Sequence, residues 1–321
     1  MKPLRLALLI TSLATCTAFA ADLPRDADRI VVAADGSGDF RTVQAAVDFA
    51  QAHREKPVVI FIRKGRYEER VRVAREKRHV HLVGEDRKGT VIAFTNNEKL
   101  NPGWNQRSVL AVEADDCAIE NLTVQNTTPY KGSQAEAVYV NADRCVLKHA
   151  DFLSFQDTLC LSGRVHVADC YVEGDVDYVW GYGTAVFERC ELRTMHDGYI
   201  VQARNPASRS GYIFLDCKLT AAPEVKKFWL ARIETARFPA SNVTFIRCAM
   251  SPQIFAAGWQ VTGVTGDALR FEEFGSTDLA GKPLDASSRD RSAKQLTAEA
   301  VADISAAKTL AGSDGWTPDA R

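Results

Sequence analysis

The sequence predicts an all-β protein, a right-handed parallel β-helix with short helices at its ends, and two features predict it. Six cysteines recur at intervals of 20 to 31 residues, each after a charged residue and each preceded by a short alternating run rich in β-branched and aromatic residues. One strand per repeat at this interval is typical of a solenoid. The stretches between strands are too short and lack the periodicity for crossover helices, so the strands of successive coils are expected to pair in parallel. The cysteines of this repeat are Cys117, Cys145, Cys170, Cys190, Cys217 and Cys248.

Two helices are predicted outside the repeat. Residues 42–53 carry apolar side chains at positions 43, 46, 47 and 50, which is helical spacing, and Thr42 is a suitable N-cap. We expect this helix to cover the apolar end of the solenoid. An alanine-rich helix is predicted from Thr297 to Leu310, ended by Gly312. Strands of the first coils are predicted at 57–62, 79–83 and 90–94.

Residues 1–20 have the pattern of a signal peptide. Lys2 and Arg5 precede an apolar run of about 13 residues, and a small-x-small sequence ends at Ala20. We therefore expect export to the periplasm or the extracellular space after cleavage near Ala20. The apolar run is too short to span a bilayer, so no stable membrane association is expected. A lipid on Cys16 is the alternative interpretation.

The remaining residues, 21–321, contain no linker rich in proline, glycine or serine, so a single domain is expected. We also expect a monomer. Without Lys2 and Arg5 the chain has 38 basic and 41 acidic side chains, a net charge near −3. This balance argues against a nucleic-acid partner, because phosphate binding usually leaves a basic excess.

The cysteine pattern predicts neither a metal site nor a cofactor. No cysteine stands in a C-x-x-C pair, and no histidine and cysteine cluster has metal-ligand spacing. An exported protein meets an oxidising compartment, where a disulfide can form. Cys170 and Cys190 are the candidate pair, and the alternative is that the cysteines pack in the core as small apolar residues.

Two aspartates share one position in the repeat. Asp157 lies 13 residues before Cys170, and Asp177 lies 13 residues before Cys190. Equal offsets place the two side chains on the same face of neighbouring strands, about 5 Å apart by the spacing of a sheet. Gln156 is adjacent to Asp157, and one coil earlier Gln134 lies 11 residues before the next cysteine, near the same register.

Two close carboxylates are suited to acid and base chemistry. Their charges repel, so one pKa rises while the other stays low, which provides a protonated acid beside an ionised base or nucleophile. Two neighbouring amides could stabilise an oxyanion. The sequence has no G-x-S-x-G or H-E-x-x-H motif, which removes the commonest serine and zinc hydrolase signals. Spacing alone does not separate an esterase from a glycosidase, or either of them from a structural polar ladder.

Eight short blocks in order resemble the pectin methylesterase family, in its bacterial secreted form, between about residue 30 and residue 318. The resemblance implies a β-helical carboxylic ester hydrolase that needs no cofactor and acts on a polysaccharide, the methyl esters of polygalacturonate. The blocks are Asp35-Gly-Ser-Gly-Asp-Phe-Arg-Thr42, Gly65-Arg-Tyr-Glu-Glu69, Gln134-Ala135, Phe155-Gln-Asp-Thr-Leu159, Asp177-Tyr-Val-Trp-Gly181, Leu230-Ala-Arg232, Gly258-Trp259 and Asp314-Gly-Trp316.

The resemblance also implies a role for each matched residue. Asp177 is the nucleophile, and Arg232 keeps it ionised and oriented. Asp157 is the acid that protonates the leaving methanol and then the base that activates water. Gln134 and Gln156 stabilise the oxyanion.

Four aromatic residues match positions that line the sugar-binding groove of the family, and core packing is the alternative for each of them. They are Phe155, Tyr178, Trp180 and Trp259.

Five positions depart from the family pattern and affect the substrate prediction. Ala231, Ile233 and Glu234 replace the glycine, proline and tryptophan of L-G-R-P-W, which removes one sugar-stacking platform unless Trp229 replaces it. Cys160 stands for an expected tyrosine, and Glu136 places a negative charge near a groove meant for an acidic polymer. A different acyl or carbohydrate ester, or a polysaccharide-binding β-helix without catalysis, therefore stays open.

Overall fold

The computed structural model describes residues 23–318, and these form a parallel β-helix, as predicted. The predicted signal peptide and Cys16 lie outside the described residues. In chain order the first strands are β1 (Arg29–Val32), β2 (Val58–Ile62), β3 (Gly65–Glu68), β4 (Val71–Val73), β5 (Val80–Gly84), β6 (Thr90–Phe94), β7 (Leu110–Val112), β8 (Ala118–Glu120), β9 (Thr123–Asn126), β10 (Val138–Val140), β11 (Cys145–Lys148), β12 (Asp151–Leu153) and β13 (Leu159–Leu161). The later strands are β14 (Arg164–Ala168), β15 (Tyr171–Gly181), β16 (Thr184–Glu188), β17 (Glu191–Ala203), β18 (Gly211–Leu215), β19 (Lys218–Ala221), β20 (Trp229–Glu234), β21 (Asn242–Ile246), β22 (Ala249–Met250), β23 (Trp259–Thr262), β24 (Arg270–Phe274), β25 (Thr277–Asp278) and β26 (Ala293–Gln295).

The strands form three faces of the solenoid. One face is an eleven-stranded parallel sheet in the order β1-β2-β5-β8-β11-β14-β16-β18-β21-β24-β26. The second is a parallel ladder in the order β25-β22-β19-β17-β15-β12-β9-β6-β3. The long strands β15 and β17 bend around a corner, so that their second halves join β4, β7, β10, β13, β20 and β23 in a third face. The candidate site lies on this third face.

Left-handed residues form the corners of the coils and account for the charged residue before each cysteine. All six of these residues have φ between 51° and 61°. Aspartate and arginine alternate among them, and each arginine pairs with the aspartate of the preceding coil, so the charges cancel along the solenoid. The pairs are Asp116 with Arg144, Asp169 with Arg189, and Asp216 with Arg247, with shortest N–O distances of 2.8, 2.8 and 2.7 Å.

The cysteines follow two different corners rather than one. Cys117 and Cys145 lie where β8 and β11 begin, whereas each of the other four cysteines of the repeat is the second residue after the end of β14, β16, β18 or β21. The prediction of a single repeat is therefore wrong in this detail. Both corners need a left-handed residue followed by a small inward side chain, so their sequences look alike.

The predicted disulfide between Cys170 and Cys190 is absent, and both are buried free thiols. Each side chain points into the solenoid from its own coil. The sulfur of Cys170 lies 3.5 Å from the carbonyl oxygen of Leu147, and that of Cys190 lies 3.4 Å from the carbonyl oxygen of Val167. The two cysteines therefore pack as small apolar residues with weak S–H donors, which was the alternative interpretation.

The helices differ in part from the prediction. In chain order they are α1 (Val43–Phe49), α2 (Trp104–Arg107), α3 (Ala298–Val301) and α4 (Ala306–Leu310). The Thr42 hydroxyl caps α1 by accepting from the Ala45 amide at 3.3 Å, and α1 packs against β1, β2 and β4, the first coil. The prediction of a single C-terminal helix is wrong, because the segment forms two helices, α3 and α4. Ser305 caps α4, which packs on the outer side of the eleven-stranded sheet. None of the helices in residues 23–318 is long and apolar enough to cross a membrane.

Candidate active site

Asp157 and Asp177 lie side by side on the third face, as their spacing predicts. Leu159 pairs in parallel with Val179, so the two aspartates occupy equivalent positions on neighbouring coils. Both have a left-handed backbone, with φ of 69° and 50°. Aspartate tolerates this conformation because its short polar side chain can form local hydrogen bonds.

Arg232 of β20 holds Asp177 in a two-oxygen ion pair. Its Nε donates to Oδ1 at 2.9 Å and to Oδ2 at 3.2 Å, and its Nη2 also donates to Oδ2. The guanidinium lies over the ring of Tyr199, 4.4 Å from its centroid. Burial raises the pKa of Asp177, and Arg232 and then Arg204 oppose that rise. Because both oxygens accept from a guanidinium, Asp177 has the arrangement of an ionised carboxylate.

The pKa of Asp157 is raised well above its usual value. Burial is the largest cause, and the charges of Glu136 and Asp177 add to it, whereas Arg107 and Arg204 oppose it. Among the described residues, one oxygen of Asp157, Oδ2, accepts from an arginine, at 2.9 Å from Arg107 Nη2. The two aspartates therefore differ in the direction that acid and base chemistry requires, because protonation is favoured more strongly at Asp157 than at the arginine-paired Asp177.

Glu136 occupies the position next to Asp157 on the preceding coil. Val138 pairs with Leu159, so Glu136, Asp157 and Asp177 form a row of three carboxylates that we call the acidic ladder. Gln134 lies two positions before Glu136, so it is near this register, as predicted, but not in it. The count that placed it began from Cys145, which belongs to a different corner from Cys170.

Glu136 carries no charge into the groove, contrary to the sequence prediction, because it is fully buried and paired with Arg107. Arg107 Nε and Nη2 donate to its two oxygens at 2.6 Å each, and Nη1 donates to Glu98 at 2.6 Å. Burial lowers the pKa of Arg107, but its hydrogen bonds with Glu136 and Glu98 outweigh this and raise it. Arg107 comes from α2, a helix that the sequence pattern does not predict.

The two predicted glutamines stand next to the acidic ladder in the chain, Gln156 directly before Asp157 and Gln134 two residues before Glu136. Gln156 precedes Asp157 and lines a cavity of about 160 Å³ together with Phe155 and Tyr130. The side-chain oxygen of Gln134 accepts from the Ser133 hydroxyl at 2.8 Å. This hydrogen bond leaves the N–H groups of the Gln134 amide for another acceptor.

Two of the predicted sugar-binding aromatics belong to the core. Tyr178 is fully buried, and its hydroxyl lies 3.1 Å from that of Thr194. Trp259 is also buried and stacks on Phe271 at 4.6 Å. The prediction is wrong for both. The left-handed backbone of Asp177 breaks the strand alternation, so Tyr178 and Val179 both face inward.

Phe155 is partly exposed on the outer side of the third face, whereas Trp180 packs there but is as buried as Trp259, so the sugar-binding prediction is wrong for Trp180 too. Trp180 packs edge-on against Trp104 at 5.5 Å, and the Arg204 guanidinium lies 4.5 Å from its ring. Phe155 lies 5.4 Å from His196, whose ring stacks on Tyr130 at 3.6 Å. Trp104 and Tyr130 are exposed. No family block singled out these two exposed rings in the sequence.

The departures from the family pattern lie mostly beneath the surface. Ala231 and Ile233 are core residues on either side of the outward Arg232, and Cys160 is buried against Trp180. Glu234 is exposed at the end of β20. Trp229 stacks on Phe255 with ring centroids 4.3 Å apart.

A basic cavity of about 750 Å³ lies beyond Trp180. Arg204, Arg209 and Arg237 line it together with Phe238 and Tyr182. The Arg204 guanidinium contacts Phe238 as well as Trp180, with 5.7 Å to the Phe238 ring. This end of the third face is therefore suited to a ligand that combines apolar sugar faces with carboxylates. Within residues 23–318, no group of three or more His, Cys, Asp or Glu side chains could hold a metal ion.

Comparisons of sequence and of structure with known proteins both find pectinesterases. The sequence model of the pectinesterase family matches residues 29–302. Pectinesterase 31 of Arabidopsis thaliana is 34% identical over 245 residues, which cover 72% of this chain and 76% of that protein. Pectin methylesterase from carrot has a TM-score of 0.79 at 24% identity, over 89% of this chain and 93% of its own. A pectin methylesterase in complex with a hexasaccharide has a TM-score of 0.76 at 25% identity, and the match covers 91% of this chain and 98% of that one.

The family model's match to residues 29–302 includes Asp157, Asp177 and Arg232. The prediction of a bacterial secreted form is not addressed by these comparisons and stays a prediction. The family resemblance itself is confirmed, and the chain belongs to the pectinesterase family.

Proposed function

We propose that this chain is a pectinesterase that hydrolyses the methyl esters of polygalacturonate to free carboxylates and methanol. The observation that carries the proposal is the pair formed by Asp177, held as a carboxylate by Arg232, and Asp157, a buried acid with a raised pKa beside it. Family membership supports the same reaction.

The first half of the proposed reaction forms an acyl-enzyme. Asp177 attacks the ester carbonyl carbon, and the negative charge that develops on the carbonyl oxygen is stabilised by the amides of Gln134 and Gln156. The tetrahedral intermediate collapses, and the C–O bond to the methoxy group breaks. The departing oxygen takes the proton of Asp157 and leaves as methanol. Removing one such amide donor costs about 3–4 kcal/mol in well-studied cases.

The second half restores the enzyme. Asp157, now a carboxylate, takes a proton from water while the water oxygen attacks the acyl carbon. The bond to Asp177 breaks and regenerates its carboxylate, the galacturonic acid unit is released and loses its remaining proton to solvent, and Asp157 is again protonated. The same residue acts as acid and then as base, so its pKa has to be raised in the free enzyme.

The basic cavity supports an acidic polysaccharide as the substrate. Arg204, Arg209 and Arg237 can pair with the free carboxylates of partly demethylated units, and the neighbouring Phe238 and Tyr182 offer apolar surfaces to the sugar rings. The changes at Ala231 and Ile233 fall in the core, so they remove no groove surface by themselves. We favour pectin over an unrelated ester on these grounds.

The test is methanol release from methylated pectin, measured beside hydrolysis of a small acyl ester. We expect activity on pectin in the wild type and loss of at least about 10³-fold in Asp177→Asn, because the covalent nucleophile is removed. Asp216→Asn is the matched control, since Asp216 forms a similar two-oxygen pair with Arg247 at an outer corner. Wild-type activity in Asp177→Asn would exclude the proposed mechanism. Polygalacturonate binding by a wild type without esterase activity would favour a binding protein.

We also propose that the chain is exported, on the N-terminal charge and apolar pattern of its first 20 residues. The measurement is the N-terminal sequence of the protein recovered from the producing cells and their medium. A chain that begins near Ala21 outside the cytoplasm is expected, and a cytoplasmic chain that retains Met1 would contradict export.

A further inference from the structure

We propose that Arg107 and Glu136 are positioning residues that hold Asp157 with its proton on Oδ1, ready for the leaving group. This inference rests on the proposed function. Arg107 Nη2 donates to Asp157 Oδ2 at 2.9 Å. An oxygen that accepts this N–H is the carbonyl-type oxygen of a protonated acid, so the acid proton lies on the other oxygen.

Glu136 is needed because an uncompensated arginine would ionise Asp157. A guanidinium within hydrogen-bond distance favours the charged form of a carboxyl group. Glu136 accepts from Arg107 with both oxygens at 2.6 Å and is itself fully buried. Glu136 therefore balances the charge of Arg107 while leaving the donor on Asp157 Oδ2 in place.

The remaining groups around Asp157 come from several elements. Asp177 of β15 opposes ionisation of Asp157, and Arg204, which follows β17, favours it. The Cys160 thiol is neutral, because burial raises its pKa well above the usual range. Glu98 pairs with Arg107 and Arg232 pairs with Asp177, so each of them acts on Asp157 through that partner. Glu136 and Arg107 are thus the two charges that act on Asp157 without belonging to the nucleophile or the basic cavity.

The first variant is Glu136→Gln, read by the pH dependence of kcat/KM for methanol release. Asp157 has to be protonated for acylation, so activity falls as the pH rises through its pKa. Removing Glu136 leaves the Arg107 charge uncompensated and lowers that pKa. We expect the alkaline limb to move to lower pH by about one unit or more.

Glu273→Gln is the matched control. Glu273 is also fully buried and accepts from Arg289 at 2.7 and 3.1 Å, but it lies in β24, away from the acidic ladder. We expect lower stability in this variant with no movement of the alkaline limb. If Glu136→Gln behaves like Glu273→Gln, with the limb unmoved, the pair is only structural and the proposal is wrong.

The double variant Arg107→Leu/Glu136→Leu tests positioning without burying an unpaired charge. It removes both charges that oppose each other at Asp157, so we expect an alkaline limb closer to the wild type than that of Glu136→Gln. The loss of the donor on Oδ2 should lower kcat by about tenfold or more. A double variant with wild-type kcat would overturn the proposal, including in the case where Glu136→Gln does not fold.

An infrared titration separates this inference from the proposed function. The carbonyl band of protonated Asp157 is identified by its loss in Asp157→Asn and needs no turnover. We expect this band to disappear at lower pH in Glu136→Gln than in the wild type, and an unchanged midpoint would overturn the inference. A wild type that shows the band but releases no methanol would instead refute the proposed function.

Discussion

The acidic ladder and the Asp–Arg pairs at the corners have the same left-handed backbone conformation but opposite electrostatic environments. Asp157 and Asp177 have left-handed backbones on successive coils, and so do Asp169 and Arg189 at a corner. At the corner an aspartate is followed by an arginine, and the pKa of Asp169 is lowered, first by its hydrogen bond with Arg189. On the acidic ladder a carboxylate is followed by another carboxylate, and burial and repulsion raise the pKa of Asp157.

The difference shows where reactivity comes from in this solenoid. Stacking places equivalent side chains about 5 Å apart at every corner and on every face. Opposite charges at that distance pair with each other, whereas like charges repel and need cations from other elements to balance them. On the acidic ladder those cations are Arg107 of α2 and Arg232 of β20.

The largest effect that we expect separates the two regions by activity. Asp157→Asn should lower kcat by about 10²–10⁴-fold, the usual contribution of a general acid, because an amide cannot protonate methoxide. Asp169→Asn is the control, and asparagine tolerates the left-handed backbone at both positions. Methanol release from pectin is the measurement. Equal activities in the two variants would mean that the acidic ladder is as structural as the corner.

A smaller effect is expected when the cation is changed instead of the acid. Arg232→Lys keeps the charge beside Asp177 but loses the two-oxygen geometry, so kcat should fall about 10- to 100-fold, by the strength of hydrogen bonds to charged groups. Arg247→Lys makes the same change at a corner, where Nε and Nη2 donate to Asp216 at 2.7 and 2.9 Å, and should leave kcat unchanged. Steady-state kinetics on pectin compare them. An Arg232→Lys enzyme as active as Arg247→Lys would show that Arg232 supplies charge alone.

The comparison also predicts opposite effects on stability. The pKa of Asp157 is higher in the folded protein than in the unfolded chain. The folded protein therefore loses stability from this residue as the pH rises above about 3.9, the usual pKa of an aspartate. Asp157→Asn should therefore stabilise the protein at pH 7 by roughly 1 kcal/mol, and the gain should vanish at pH 3. Asp169 has a lowered pKa, so its pair with Arg189 stabilises the fold above the usual pKa, and that stability is lost as the pH falls through the folded pKa. Asp169→Asn should therefore be destabilising at pH 7 by up to about 1 kcal/mol.

Thermal unfolding at pH 7 and pH 3 measures both changes. A shift of a few degrees in Tm is expected for a domain of this size. Destabilisation at pH 7 in Asp157→Asn would mean that Asp157 is ionised in the folded protein, which would contradict the proposed acid.

The repeat predicted the fold and the aspartate pair because both depend on periodic positions. Each coil needs an inward small residue after a left-handed corner, and this requirement leaves a visible cysteine and a charged neighbour. Asp157 and Asp177 precede two cysteines of the same corner, so their equal offsets measured a true register. Cys145 belongs to the other corner, so counting from it placed Gln134 only near the register of Asp157 and did not find Glu136, which occupies the equivalent position.

The sequence pattern does not predict contacts between the repeat and elements that lie outside it. Arg107 lies on a four-residue helix inserted between β6 and β7, so its approach to Glu136 follows no repeat. A glutamate beside a buried strand, such as Glu136 before β10, does indicate a cationic partner, but it does not identify the arginine. The inward turn of Tyr178 depends on the φ of Asp177, which breaks the alternation that pattern reasoning assumes.

The smallest effect concerns the corner cysteines and tests whether they only pack. With Cys170 and Cys190 as free thiols, Cys190→Ala should destabilise the protein about as much as Cys217→Ala, the next cysteine of the same corner, by roughly 1 kcal/mol. A disulfide between Cys170 and Cys190 would contribute about 3 kcal/mol by closing the loop between them. In that case Cys190→Ala would lose much more stability than Cys217→Ala. Denaturant titrations give both values. Alkylation of the unfolded wild type without reductant, followed by peptide mapping, should label Cys170 and Cys190 alike, and protection of both would show that a bond joins them after all.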